Sequence, residues 1–327
     1  MIKASGLSTN YRIIGDIGGT NARFALVDDD LAIVTTRVLR CADYAGITNA
    51  IQAFLNELQL ADNPHEACIA VACPVTSDRV KLTNHVWGFS INEVKLELGL
   101  ERLEVVNDYT ALAHSIPCLP ENDLFRIGRG KIKPDLPKAI LGPGTGMGLA
   151  GLVKSSSGWV SIATEGGHVS FAPCDDLEYD ILRYMRHRFT RVSIERILSG
   201  PGIEALYQAL ASIRGVPTKP LSSADITRLG LAHSCPVCTE TLDRFCTILG
   251  SFAGDVALTL GALGGVYITG GIVPRFLDYL KNSRFRERFE AKGRFDNYMQ
   301  AIPTYVVTAK FPGLTGAAAI LGSNHQI

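Results

Sequence analysis

One pattern occurs twice in this chain, once in each half: two apolar runs joined by a glycine turn. Ile13-Ile14-Gly15-Asp16-Ile17-Gly18-Gly19-Thr20 leads into Ala22–Asp28, and Ile140-Leu141-Gly142-Pro143-Gly144-Thr145-Gly146 leads into Met147–Val153. With a one-residue gap, both read strand, glycine turn with threonine, strand. Strands then alternate with helices in both halves. The pattern predicts a duplicated mixed α/β fold in two domains with a cleft between the halves. The chain has 327 residues, 46% of them hydrophobic, enough for about two domains with a core in each.

Beyond the paired turns, Ile33–Leu39, Cys68–Cys73, Leu103–Val106, Trp159–Ala163, Val266–Thr269 and Thr304–Thr308 read as strands. Helical spacing marks 44–60, Leu177–Phe189, Ile203–Ile213, Ala224–Ala232, Cys235–Leu263, Pro274–Leu280 and Leu314–Leu321. Ser90 and Glu93 have the spacing of a capping box. Pro117–Pro137, with four prolines and a basic stretch from Arg126 to Lys133, reads as a surface connection.

Charge narrows the function classes. Lys+Arg and Asp+Glu are each 32, so no global field holds a nucleic acid or an anionic membrane. Val256 to Pro274 is uncharged, but its double glycines break it into a buried helix and a buried strand rather than a membrane span. The opening residues lack the apolar region of a secretory signal. The eight cysteines therefore read as reduced thiols of a cytosolic protein.

The chemistry is carried by turns and strand ends. Glycine turns bring several backbone N–H groups close to an anion, so a turn in each half suits the phosphates of a nucleotide. Asp16 leads the first turn and is placed to hold Mg²⁺ through water. The plain alternative for each turn is a hairpin that uses glycine for geometry, and their recurrence argues against it. Neither a Walker loop nor a dinucleotide fingerprint is present: no Gly-Lys-Ser/Thr occurs, and Met147 stands at the third glycine of the second. Gly270-Gly271 before Pro274 reads as a strand–turn–helix step whose helix start suits a nucleotide. Asn107-Asp108 ends a strand, where a carboxylate can take a proton from a hydroxyl; helix capping explains Asp108 equally well. Glu165, His168 and Glu195 form a polar set suited to a polyol, against the alternatives of a solvated helix start for Glu195 and a structural histidine. Cys235-Pro236-Val237-Cys238 lacks the second pair that zinc needs.

These segments occur in a specific order. Asp16-Ile17-Gly18-Gly19-Thr20-Asn21-Ala22-Arg23, Thr83-Asn84-His85-Val86-Trp87, Asn107-Asp108-Tyr109-Thr110-Ala111 and Gly144-Thr145-Gly146 are followed by Glu165-Gly166-Gly167-His168-Val169, Leu198-Ser199-Gly200-Pro201-Gly202 and Gly270-Gly271-Ile272-Val273-Pro274-Arg275. The chain closely resembles the bacterial ATP-dependent glucokinase family, within the hexokinase and actin-like ATPase superfamily, over nearly its whole length. The resemblance implies an actin-like, ribonuclease H-like fold with a small domain at 1–118 plus 309–327 and a large one at 119–308. It implies Mg-ATP and glucose as substrates, and a cytoplasmic homodimer with no nucleic-acid or membrane partner. It implies Asp108 as catalytic base, and Asn107, Asp108, Glu165, His168 and Glu195 as glucose ligands. Asp16, Gly18, Gly19, Thr20, Asn21, Gly144, Thr145 and Gly146 are implied at the phosphates, with Gly270 and Gly271 by the adenosine. Asp108 needs no unusual pKa on this reading. Related sugar kinases carry a zinc cluster after the histidine; here Val-Ser-Phe-Ala-Pro follows His168, so structural zinc is not expected. The competing readings are a kinase for another hexose or an N-acetylated amino sugar, a sugar-sensing repressor, and an actin-like structural ATPase. A repressor would want an N-terminal helix-turn-helix, for which the segment before the first strand is too short.

Overall fold

A computed structural model describes residues 10–82 and 86–323. Most of the Met1–Asn10 extension and Thr83-Asn84-His85 lie outside the described residues. The chain divides into two units: 1–120, 157–161 and 309–327 form unit 1, and 121–156 with 162–308 form unit 2.

Unit 1 begins with an antiparallel meander, β1 (Arg12–Ile17), β2 (Asn21–Val27) and β3 (Ile33–Arg40). Helix α1 (Ile47–Leu58) follows, then β4 (Glu66–Val71), which runs parallel to β1. A small ribbon, β5 (Arg79–Lys81) with β6 (Gly88–Ser90), precedes α2 (Ile91–Glu97). Ser90 Oγ accepts from the Glu93 N–H at 3.2 Å, but the Glu93 carboxylate turns to Arg79, so only half of the expected capping box forms. Next, β7 (Arg102–Asn107) pairs parallel with β4 and leads directly into α3 (Asp108–Ser115). The sheet order is β3-β2-β1-β4-β7. Both faces are covered, which explains the apolar run Ala67–Val71 of β4 and the Ile13-Ile14 pair of β1. Ile13, Phe24 and Ile69 face Ile51 and Phe54 of α1. On the other face, Ile14, Ala25 and Ala70 cluster with Ala111 of α3 and with Leu314, Ala317 and Leu321 of the last helix.

Unit 2 repeats the scheme. It opens with β8 (Leu124–Ile127), followed by the meander β9 (Lys138–Pro143), β10 (Met147–Ser155) and β11 (Gly158–Thr164), which pairs in this sheet although its first residues are grouped with unit 1. Four helices come next: α4 (Asp176–Arg186), α5 (Gly200–Ile213), α6 (Ser223–Leu231) and the long α7 (Pro236–Leu260). Then come β12 (Val266–Ile268), α8 (Leu277–Asn282), α9 (Phe285–Glu290), α10 (Asp296–Gln300) and β13 (Thr304–Val307). The sheet order β11-β10-β9-β12-β13 matches that of unit 1 strand for strand, with β8 added antiparallel at the edge of β13. Helix α7 forms the centre of the core: Phe245, Ile248, Leu249 and Ala253 are all buried. Glu178 of α4 is fully buried and holds both Arg244 (3.0 Å) and Arg288 (3.2 Å), so its charge has partners in the interior.

The final helix, α11 (Pro312–Ser323), returns to unit 1. It packs on α3 so closely that a side chain at Gly316 would strike the Ala111 carbonyl. The uncharged Val256–Pro274 stretch is the end of α7 and the start of β12, as expected. No described helix is long and apolar enough to cross a membrane.

Two expectations need correction. Pro117–Pro137 is not only a connection, because it contains β8. Its basic side chain Arg126 is engaged, donating to the carbonyls of Gly128, Arg129 and Gly130. Pro274 does not open a sustained α-helix either. It lies in a 3₁₀ turn, Val273–Phe276, and α8 starts afresh after Phe276.

Candidate active site

In unit 1, strand register assembles the acidic residues. Ile17, Val71 and Asn107 stand level across the parallel strands β1, β4 and β7. Asp16 and Asp108 therefore both lie at the carboxyl end of the sheet, two strand spacings or about 10 Å of backbone apart. Asp16 faces Arg23 across the β1–β2 ladder, and Arg23 Nη1 lies 3.3 Å from its Oδ2. Burial raises the Asp16 pKa despite this partner. At Gly313, in the first turn of α11, a Cβ would sit 3.1 Å from the Asp16 Cγ, so the start of that helix closes over the carboxylate. The β1–β2 turn itself is open: Gly19 and Thr20 are exposed, and a Cβ at Gly18 would meet nothing nearer than 3.7 Å. Asn21 is the first residue of β2, and its carbonyl accepts from the Gly18 N–H at 3.0 Å.

Asn107, not Asp108, caps α3. Its Oδ1 accepts from the Tyr109 N–H at 2.9 Å, and its Nδ2 donates to the Cys73 carbonyl at 3.2 Å. The capping account of Asp108 therefore falls away. Its Oδ1 shares the Tyr109 N–H at 3.0 Å. Asp108 is also not an ordinary carboxylate. Burial, and secondarily the nearby Asp16 charge, push its pKa up to about 6, against hydrogen bonds that favour the charged form. The expectation of an unremarkable pKa is corrected for that reason. Two acidic groups with hard oxygen donors fit a magnesium ion that keeps most of its water; among the described residues no cluster of three metal-ligating side chains exists.

In unit 2 the second polar set gathers at the β9–β10 turn. The Gly144 N–H donates to the Gly146 carbonyl at 2.7 Å, and the Gly200 N–H donates to the Gly144 carbonyl at 2.9 Å. Thr145 is exposed at the tip. Gly270 has φ +85°, and a side chain there would strike the Pro143 carbonyl, so the β12 turn abuts the β9–β10 turn; Gly271 beside it is in open space. Glu165 and His168 are exposed in one loop, with the His168 N–H donating to the Glu165 carbonyl at 3.0 Å. The Gly166-Gly167 pair between them is not there for flexibility. Side chains would collide with Leu149 and with the Met147 carbonyl, so glycine lets the loop lie on β10. Glu195 lies in a 3₁₀ turn, Ile194–Arg196, rather than at a solvated helix start, and its Oε2 accepts from the Met147 N–H at 2.9 Å. The sequence reading missed Gly313 and the Gly200 contact. Both glycines stand in motifs visible in the sequence, but their contacts join residues far apart in the chain. The Cys235 and Cys238 thiols are free and hydrogen-bonded to each other, and they meet no third metal ligand among the described residues.

A family model described as Glucokinase matches residues 13–324. The chain belongs to the glucokinase family. A glucokinase of Neisseria meningitidis is 48% identical over 314 residues, covering 96% of this chain and 95% of the relative. The crystal structure of a glucokinase from an Antarctic psychrotroph superposes with a TM-score of 0.88 at 40% identity, covering 96% of this chain and 99% of that one. A glucokinase from Balamuthia mandrillaris, solved in complex with glucose, shares the fold with a TM-score of 0.78 at 19% identity, covering 97% and 95%. The two-domain actin-like ATPase architecture of glucokinases is thus the fold of this chain.

Proposed function

We propose that this chain transfers the γ-phosphoryl group of ATP to the 6-hydroxyl of glucose, giving glucose 6-phosphate and ADP, with Asp108 as the base. The observation that carries the assignment is Asp108 itself. It is a half-buried carboxylate at a strand end, one oxygen held by Tyr109, with a pKa pushed up to about 6. A base poised near the working pH takes a proton most efficiently. The sugar O6 attacks the γ-phosphorus, the bond from that phosphorus to the β–γ bridging oxygen breaks, and the O6 proton passes to Asp108. Asn107 orients the sugar beside it, and Glu165, His168 and Glu195 bind the remaining hydroxyls. A hydroxyl both donates and accepts, which suits this mixed set.

The glycine turns take phosphate oxygens: Gly18, Gly19, Thr20 and Asn21 in the first, and Gly144, Thr145 and Gly146 in the second. Gly270 and Gly271 lie by the adenosine. Asp16 would hold Mg²⁺ through water, and the ion would supply charge neutralisation at the phosphates. The chain's own residues align the sugar and the phosphates and exclude competing water. A homodimer and a cytoplasmic location complete the proposal, and sedimentation and fractionation test them. The deciding experiment is an ADP-release assay with purified protein against glucose, mannose, fructose and N-acetylated amino sugars. Glucose is expected to give the highest kcat/KM; a different preferred sugar overturns the substrate, and sugar-independent ATP hydrolysis overturns the reaction.

A further inference from the structure

A Gly-Thr-Gly turn is ordinarily read as backbone cleared for an anion, and Gly144 fits: a Cβ there would meet nothing nearer than 4.0 Å. Gly146 does not. A Cβ there would lie 2.5 Å from the Glu195 Oε2. The space beside Gly146 is taken by this chain's own carboxylate, whose Oε2 also accepts from the Met147 N–H at 2.9 Å. Glu195 is itself anchored. Its carbonyl accepts from Ser199 Oγ at 2.7 Å, and that oxygen in turn accepts from the Gly202 N–H at 3.0 Å. The Gly200–Gly144 hydrogen bond ties the same segment to the other end of the turn. One short stretch, Glu195–Gly200, thus grips the β9–β10 turn at both ends, once by backbone and once by a negative charge.

The charge has a consequence. A carboxylate against a turn meant for a polyphosphate opposes that ligand, and in a partly buried site the repulsion is poorly screened. A sugar hydroxyl that donates to the same carboxylate draws off part of its charge. We infer that Glu195 is a positioning residue that couples the two substrates: its Oε2 holds the triphosphate turn, its other oxygen takes a sugar hydroxyl, and sugar binding thereby readies the turn for nucleotide. This rests on the reading of Glu195 as a sugar ligand. It also gives Gly146 a duty that Gly144 lacks, since the side chain it does not have leaves room for the carboxylate.

Linkage makes the coupling measurable, because glucose must tighten nucleotide binding by the same factor as nucleotide tightens glucose. The test is calorimetric titration of the full chain with the Mg²⁺ complex of a non-hydrolysable ATP analogue, with and without saturating glucose. Wild type is expected to bind the analogue about tenfold more tightly with glucose, inside the usual range of about 5–150-fold. Glu195→Gln keeps an oxygen to accept from Met147 but removes the charge. It is expected to bind the analogue more tightly than wild type without glucose and to show less than about twofold coupling. Gly146→Ala displaces the carboxylate while leaving Glu195 in place, and is expected to lose the coupling too. In steady state, wild type shows a KM for ATP that falls as glucose rises, and both variants flatten that dependence. Wild-type coupling that persists in Glu195→Gln and Gly146→Ala, or its absence from wild type, overturns the inference while leaving the glucokinase reading intact. A wild-type protein that binds nucleotide but no glucose overturns that reading, and the inference with it.

Discussion

The two glycine turns share a topology and differ in what holds them. The first, between β1 and β2, is flanked by charge: Asp16 faces Arg23, and the start of α11 closes over it at Gly313. Gly18 stands in open surroundings, and Gly15, the counterpart of Gly142, is crowded only by the ends of the Ile69 and Phe24 side chains. The second, between β9 and β10, is stitched by main-chain contacts. Gly142 abuts the Thr269 carbonyl, Gly270 abuts the Pro143 carbonyl, and Gly200 and Glu195 hold its two ends. The same glycine-rich motif thus makes one turn that is electrostatically set and one that is sterically locked. Motif similarity alone does not reveal which glycines are needed for the ligand and which for the fold.

The largest expected effect belongs to the charged side. Asp108→Asn should lower kcat by about 10²–10⁴-fold while glucose affinity changes only a few fold, as for an interaction made in the transition state. Single-turnover kinetics with a binding titration separate the two; unchanged turnover in a folded variant removes the base from the mechanism.

The steric side comes next. Gly142→Ala places a methyl group against a backbone carbonyl that cannot rotate away, and should cost about 1–3 kcal/mol of stability. A lowered urea midpoint with an unchanged m-value is the signature. A variant as stable as wild type would mean that the second turn is no more locked than the first.

Smaller, and peculiar to the sheet that carries the first turn, is the response to pH. Asp108 accepts a proton only when ionised, and its pKa is about 6. Therefore kcat/KM for glucose should rise with pH through about 6 and level off above it, with about tenfold lost one unit below. Asp16→Asn removes the neighbouring negative charge, so the Asp108 midpoint should move to lower pH in an NMR titration of its carboxyl carbon. A midpoint that stays in place assigns the elevation to burial alone.

The smallest expected change is in Gly18→Ala. Stability should stay within about 0.5 kcal/mol, and the loss should appear in nucleotide affinity instead. If stability falls as far as for Gly142→Ala, the two turns do not differ in the way their surroundings indicate.

The duplicated plan was legible because both turns sit between apolar runs, and local periodicity reports strands and helices well. The candidate site residues stood out as an ordered set of short motifs. What escaped depended on partners distant in the chain. Leu124–Ile127 is a strand because β13 pairs with it, and the surrounding prolines hid that. Asn107 takes the cap and leaves Asp108 available, a choice between adjacent residues that composition does not make. Nothing in the sequence marks the Gly166-Gly167 pair as a packing surface; Met147 and Leu149 beneath it do. The Asp108 pKa required burial and the position of Asp16, neither of which spacing records.

The packing of α11 on α3 also orders events during synthesis. One face of the unit 1 sheet, with Ile14, Ala25 and Cys68, is covered by a helix that leaves the ribosome only after all of unit 2 has been made. Until then the nascent chain carries that apolar face uncovered, the situation in which chaperones engage growing polypeptides. The helix that bears Asp108 gains its neighbour only when Gly316 arrives beside Ala111. Ribosome-bound chains stalled before Leu314 should therefore be inactive and chaperone-associated.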